Sequence, residues 1–149
     1  KLTDEDAQYL EWAARLHEVG MSVAYSGHHK HGAYLIAHAD LPGFSQEGRN
    51  MLAALVREHR RKIDLDHFDA LTRKQKKRAP RLVALLRLAA RLHRSRGTSE
   101  LPPVTLLAGA TTLRLAFPPG WLASNSLARA DLTVEADHMR ALGLALEFV

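Results

Sequence analysis

The sequence has no cysteine among its 149 residues. Disulfide scaffolds, thiolate metal sites and cysteine nucleophiles are therefore excluded. Aromatic residues are scarce, at 6%. No apolar run approaches the roughly 20 residues that cross a bilayer, so neither a spanning helix nor a membrane partner is expected. The opening Lys1-Leu2-Thr3-Asp4-Glu5-Asp6 is not a signal peptide. It also lacks an initiator Met, which points to a chain processed or cut from something longer. A cytoplasmic location is expected. There is no internal repeat or low-complexity segment, and no strand leading into a Gly-rich phosphate loop before residue 101.

What is present is an ordinary globular composition, 46% apolar and 25% charged, suited to one domain or one domain with a small appendage. Charge is unevenly placed. Residues 57–96 hold 14 Lys and Arg against 4 acids, whereas the remainder holds 7 basic and 12 acidic residues. Such asymmetry suggests a surface that attracts a polyanion. The plain alternative is a solvated helix face that aids solubility.

Thr3 with Asp6 resembles a capping box, and helical spacing of Leu10, Ala13, Ala14, Leu16 and His17 predicts a helix over 4–19, with Gly20 as its stop. Residues 21–30 read as a loop, and 31–39 as a short buried helix ended by Leu41-Pro42-Gly43. Ser45 caps a helix running to about Arg61, with Met51, Leu52, Leu55 and Val56 inward. Residues 62–79 are polar and basic, with room for one or two helical turns. Pro80 suits the first turn of another helix, which carries Leu82, Leu85, Leu86, Ala89 and Leu92 inward and ends near Gly97. Val104–Ala108 and Leu113–Phe117 read as a hairpin across Gly109-Ala110-Thr111-Thr112. A turn at Trp121–Ser124 follows. Asp131 then caps a helix through Leu142, and Leu144–Val149 alternates like a third strand. The expectation is a mainly α chain: a helical domain over 1–100, then a small α+β unit over 101–149 with about three strands and one helix.

His17, Glu18, His31 and His59 lie on otherwise apolar helices. Imidazoles and carboxylates are the usual ligands of a divalent metal, although any one histidine is more simply a hydrogen-bonded core or surface residue. Leu16-His17-Glu18-Val19-Gly20 resembles the His-Asp-x-x-Gly element of HD-type phosphohydrolases. His31-Gly32-Ala33-Tyr34-Leu35-Ile36 and Val56-Arg57-Glu58-His59-Arg60-Arg61-Lys62 resemble the histidine-bearing helices after it, and Leu86–Leu92 resembles the late Ala-Asp-x-Leu element. Together with Leu41-Pro42-Gly43-Phe44, Phe117-Pro118-Pro119-Gly120-Trp121-Leu122, Asp131-Leu132 and Gly143-x-x-Leu146, these segments stand in an order similar to that of the exopolyphosphatase/guanosine pentaphosphate phosphatase (Ppx/GppA) family. The resemblance covers nearly the whole chain. The stretch Arg57-x-His59-Arg60-Arg61-Lys62 resembles the exopolyphosphatase branch more than the pentaphosphatase branch.

The resemblance is to the C-terminal half of that family alone. It implies a degenerate HD-type helical domain, with the catalytic actin-like domains, their phosphate loops, acidic residues and Mg²⁺ belonging to an N-terminal half. This chain by itself is then expected to be inactive on polyphosphate and to carry no cofactor or tightly held metal. Glu18 replaces the Asp of the HD pair, and Ala90 stands where the late Asp belongs. His17 and Glu18 are expected to face the helical core, Glu18 with a basic or backbone partner. A loosely held transition metal on His17, His31 and His59 stays open.

The function read from this is polyphosphate binding and dimerisation within an exopolyphosphatase-like hydrolase. The expected partners are polyphosphate or another polyanion, the protein's own catalytic domains and a second copy. The binding face expected is Arg57, Arg60, Arg61, Lys62, Lys74, Lys77, Arg78, Arg81, Arg87, Arg91 and Arg94. Arg87, Arg91 and Arg94 recur at helical spacing and should share one exposed face. Three rivals remain. An autonomous HD nucleotide phosphohydrolase would need a metal. A nucleic-acid-binding module would use the same charges, although the segment holds only Phe68 for stacking. The third is a purely structural dimerisation domain.

Overall fold

A computed structural model of the chain describes residues 2–94 and 101–149. It divides into two compact units, residues 1–87 and 88–149.

The first unit is helical. Helix α1 (Asp4–Leu16) opens with the capping box read from the sequence: the Thr3 hydroxyl accepts from the Asp6 amide, and Asp6 accepts from Thr3 N. It ends at Leu16, and a 3₁₀ turn over Val19–Ser22 follows. Helix α2 (His28–His38) begins three residues before the expected start, so His28 and His29 are helical and not part of a loop. Helix α3 (Gln46–Glu58) is capped by the Ser45 hydroxyl, which accepts from Gly48 N at 3.0 Å. Its expected stripe of Met51, Leu52, Leu55 and Val56 is buried. Of the stripe expected on α1, Ala13 is buried but Ala14 is exposed.

Helix α4 (Arg73–Leu92) corrects the reading most. It starts seven residues before Pro80, which lies inside it. The start signal is Thr72-Arg73-Lys74-Gln75. The Thr72 hydroxyl accepts from Gln75 N, and the Gln75 side chain accepts from Thr72 N, a reciprocal cap that outweighs the proline signal. Ala79, Leu82, Val83 and Leu86 form the buried stripe, and position 87 falls on it. Leu85 and Leu92 are only half-buried and Ala89 is exposed, against expectation. The expected helix end near Gly97 lies outside the described residues.

The second unit holds a three-stranded sheet in the order β1-β2-β3. Strands β1 (Thr105–Ala108) and β2 (Thr112–Ala116) pair antiparallel, Leu106 opposite Leu115, closed by Gly109 N on Thr112 O at 2.8 Å. Strand β3 (Ala145–Phe148) pairs with β2 in parallel, Leu113 opposite Leu146. A parallel partner needs a crossover. It is supplied by the short α5 (Trp121–Ser124), α6 (Ser126–Met139) and a 3₁₀ turn over Arg140–Leu142. Helix α6 begins five residues before Asp131, which is therefore interior to it and not a cap. Leu113 and Leu115 are buried with Leu132, Met139, Leu142, Leu144 and Leu146.

Candidate functional site: a clamped basic loop and a histidine cluster

The end of α3 carries two features close together in sequence. Glu58 is only 2% exposed. Its carboxylate accepts from Asp64 N at 2.9 Å and from His67 Nδ1 at 2.5 Å. Arg87 is fully buried, with 0% exposure. Its guanidinium donates to Glu58 O at 2.6 Å and to Arg61 O at 2.8 Å. Glu58 thus ties the far end of the loop, and Arg87 ties its near end. Arg61 takes a left-handed φ of 67°, which costs a side-chain-bearing residue energy and persists only when neighbours hold it. The bond from Arg87 to its carbonyl is such a hold. Between the two ties stand Arg60, Arg61 and Lys62. Arg61 and Lys62 are exposed, and Arg60 is half-buried.

The expectation that Arg87, Arg91 and Arg94 share an exposed face is therefore corrected. Arg87 is a core residue. Arg91 is half-buried, its Nε 2.9 Å from the buried Glu135 carboxylate and its Nη1 3.6 Å from Asp131. Arg94 is exposed. Arg78 is engaged too: it bonds Glu5 and Asp6 at 2.9 Å and also Thr3, and these acids raise its pKa further. Lys74 is exposed with its ammonium 3.7 Å from Glu5. Lys77 is exposed, and Arg57 and Arg81 are half-buried.

Beside the loop lies a cluster of imidazoles. The His17 and His59 ring centroids are 5.1 Å apart, His28 and His59 5.5 Å, and His29 and His59 6.5 Å. The sequence reading named His17 and His59 but missed His28 and His29, and none of these ring contacts involves His31. Only the early start of α2, read off as loop in the sequence, would have placed them. His59 donates from Nδ1 to Val56 O at 2.6 Å, and His17 likewise to Ala14 O at 2.7 Å. Burial, more than the neighbouring imidazoles, pushes His59 down to about 3. Burial also takes His29 to about 4 and lowers His28, with the Arg60 charge second in both. His28 and His29 each bury an Nδ1 with no hydrogen-bond partner among the described residues. Against expectation, His17 and Glu18 are only half-buried, Glu18 Oε1 lying 3.9 Å from His17 Nε2.

This donor set does not suit Mg²⁺ or Mn²⁺, which take oxygen ligands. Glu18 is its one carboxylate, and Ala90 offers no ligand. Among the described residues no three His, Asp or Glu side chains are arranged to hold a metal ion. What the site offers chemically is cationic side chains on a fixed loop.

A family model described as Ppx/GppA phosphatase, domain III, matches residues 1–136. A guanosine-5'-triphosphate,3'-diphosphate pyrophosphatase of Photobacterium profundum is 36% identical over 96% of this chain and 29% of its own length. Proteins of the same description from Vibrio vulnificus and Aliivibrio fischeri are each 36% identical, over 95% and 92% of this chain. The chain spans under a third of the length of these relatives. The expected exopolyphosphatase branch is thereby corrected to the pentaphosphatase branch. A basic run serves any polyphosphorylated ligand, so Arg57-x-His59-Arg60-Arg61-Lys62 does not discriminate between the two.

Proposed function

Since this chain belongs to the Ppx/GppA phosphatase family as its domain III, we propose that it is the polyanion-binding part of a phosphoanhydride hydrolase. The ligand class is a polyphosphorylated chain: inorganic polyphosphate, or the guanosine-5'-triphosphate,3'-diphosphate named for the relatives. The observation that carries this reading is the clamped loop. Two buried charged residues, Glu58 and Arg87, hold Arg60-Arg61-Lys62 in one conformation with Arg61 and Lys62 in water. A loop ordered before binding loses less entropy on binding. Arg then clasps phosphate oxygens bidentately while Lys acts as a mobile point charge. In this proposal the catalytic domains, with their Mg²⁺, and a second copy of the protein are its partners, and catalysis does not reside in this chain.

The test is the salt dependence of polyphosphate affinity. Each neutralised phosphate contributes roughly 0.7–0.9 to the slope of log affinity against log salt. Replacing Arg60, Arg61 and Lys62 together by Ala is expected to reduce the slope by about 2–3 and to leave the far-ultraviolet circular dichroism unchanged. Absence of binding at about 50 mM salt, or a slope unchanged in the triple variant, refutes the reading and leaves the basic run a solubility feature.

A further inference from the structure

A concave feature lies on the helical unit beside the clamped loop. A groove of about 340 Å³ opens along α2 and α3 and the 3₁₀ turn over Leu65–Phe68. That volume lies in the range of small-molecule sites. Helix α2 lines it with Lys30, Ala33, Tyr34 and Ala37, and α3 with Asn50, Ala53, Ala54 and Arg57. Both sets have the spacing i, i+3, i+4, i+7, one face of a helix each.

The groove has two chemically different ends. The link between α2 and α3 is short, and a side chain begun at Gly32 would meet Val56 at 3.1 Å. The start of α2 therefore lies by the end of α3. Lys30 and Arg57 fall at that end. His67 joins them: its Nδ1 is bonded to Glu58 at the close of α3, and its ring lines the groove. Asn50 marks the other end, where its side chain is committed to Ala70 O and to Gln46. Between the ends the floor is alanine. Above it stands Tyr34, which is 65% exposed. One face of its ring is stacked on His38, with centroids 4.2 Å apart. That stacking fixes the orientation of a large aromatic residue that the core does not use.

A cationic end, a flat methyl-lined floor and a fixed aromatic plane complement one class of molecule. We infer that this groove binds a nucleoside phosphate, the phosphates at Lys30, Arg57 and His67 and the base against Tyr34. Stacking on an aromatic ring suits any base, since every base has a π-face. Phosphate recognition by Lys and Arg supplies the charge term. The inference goes beyond the proposed loop function, and its variants are separate from those of the loop: Tyr34 and Lys30 here, Arg60-Arg61-Lys62 there.

The experiment titrates this chain with guanosine 5'-triphosphate and, separately, with inorganic triphosphate, following the amide and ring resonances by NMR. The nucleotide is expected to bind about tenfold more tightly than inorganic triphosphate and to shift Tyr34 and His67. Tyr34→Ala should erase that tenfold difference, and Lys30→Ala should weaken both ligands by about tenfold. Both side chains are exposed, so both variants should keep the wild-type circular dichroism. Neither should alter the salt slope for long-chain polyphosphate, which reads the loop and separates the two proposals. Equal affinity for the two ligands in the wild-type chain overturns the inference. So does nucleotide binding that survives Tyr34→Ala and Lys30→Ala but disappears in the Arg60, Arg61 and Lys62 triple variant, as does the absence of binding at millimolar nucleotide.

Discussion

At the scale of single residues, the loop depends on a cation in the core. Arg87 donates two hydrogen bonds to carbonyls that its removal would strand, and a bond to a charged donor contributes about 1.5–3 kcal/mol. Arg87→Met is expected to cost about 3 kcal/mol in urea unfolding, while Arg94→Ala, on an exposed side chain, stays within about 0.5 kcal/mol of wild type. The helical period placed Leu82 and Leu86 correctly and misplaced Arg87. A rule that sorts residues by polarity turns every arginine outward, and only the stranded carbonyls of residues 58 and 61 reveal why this one turns in. The histidines make a second residue-level demand. His28, His29 and His59 are less basic when folded than unfolded. Between about pH 6.5 and the folded values near 3–4, the unfolded chain binds more protons, so stability falls as pH falls through that window. Each such group contributes a slope of up to about 1.4 kcal/mol per pH unit. Denaturant midpoints measured from pH 7.5 to 4.5 should show the decline, and His59→Gln should make it shallower.

At the scale of elements, the turn after α1 meets α2 at backbone distance. A Cβ on Gly20 would sit 1.8 Å from His28 O and 2.5 Å from Gly32 N. Neither atom belongs to a flexible side chain, so the backbone itself would have to move. Gly20→Ala is therefore expected to lose at least about 3 kcal/mol, comparable to the worst overpacking in cores, and to disturb the imidazole cluster through His28. Thermal unfolding, with the His ring resonances as a local readout, checks both effects. Caps decided how legible these elements were in the sequence. Thr3 and Ser45 announce α1 and α3 because an apolar stripe begins within about two turns of each, at Leu10 and Met51, with no proline between. Thr72 does the same work for α4, but the stretch after it is cationic and Pro80 follows, so the start reads as seven residues too late. Asp131 misled in the opposite sense, because a good capping residue also stands inside helices where its carboxylate meets a cation, here Arg91. The strands were legible, since alternation in Leu113, Arg114 and Leu115 has period 2 and nothing competes with it. The imidazole cluster was half-legible: His17 and His59 stand out by sequence, whereas His28 and His29 depend on where α2 starts.

At the scale of the whole molecule, the positive run splits between roles. Part of it neutralises acids within each unit, and Arg61 and Lys62 stand exposed on the clamped loop. In the second unit, Arg91 neutralises Glu135, which is 1% exposed. Arg91→Ala removes the Nε bond to that carboxylate while His138 stays 3.6 Å from it, and losing one hydrogen bond to a charged group costs about 1.5–3 kcal/mol. Trp121, stacked on Phe117 at 4.9 Å, reports on this unit once Trp12 is replaced by Phe. Its fluorescence should show a lower melting temperature for Arg91→Ala, and an unchanged one would mean that the pair is dispensable. The parallel seam between β2 and β3 has a further consequence, one of timing. Synthesis on the ribosome is directional, and β3 follows β2 by about 30 residues. At about 5–20 residues per second, the hairpin of β1 and β2 spends a few seconds with one side of its middle strand open to any passing extended chain. Nascent molecules are thus most prone to mispair in the interval set by the making of α6, and slower translation of that helix should lower the soluble yield even though the finished protein is unaltered.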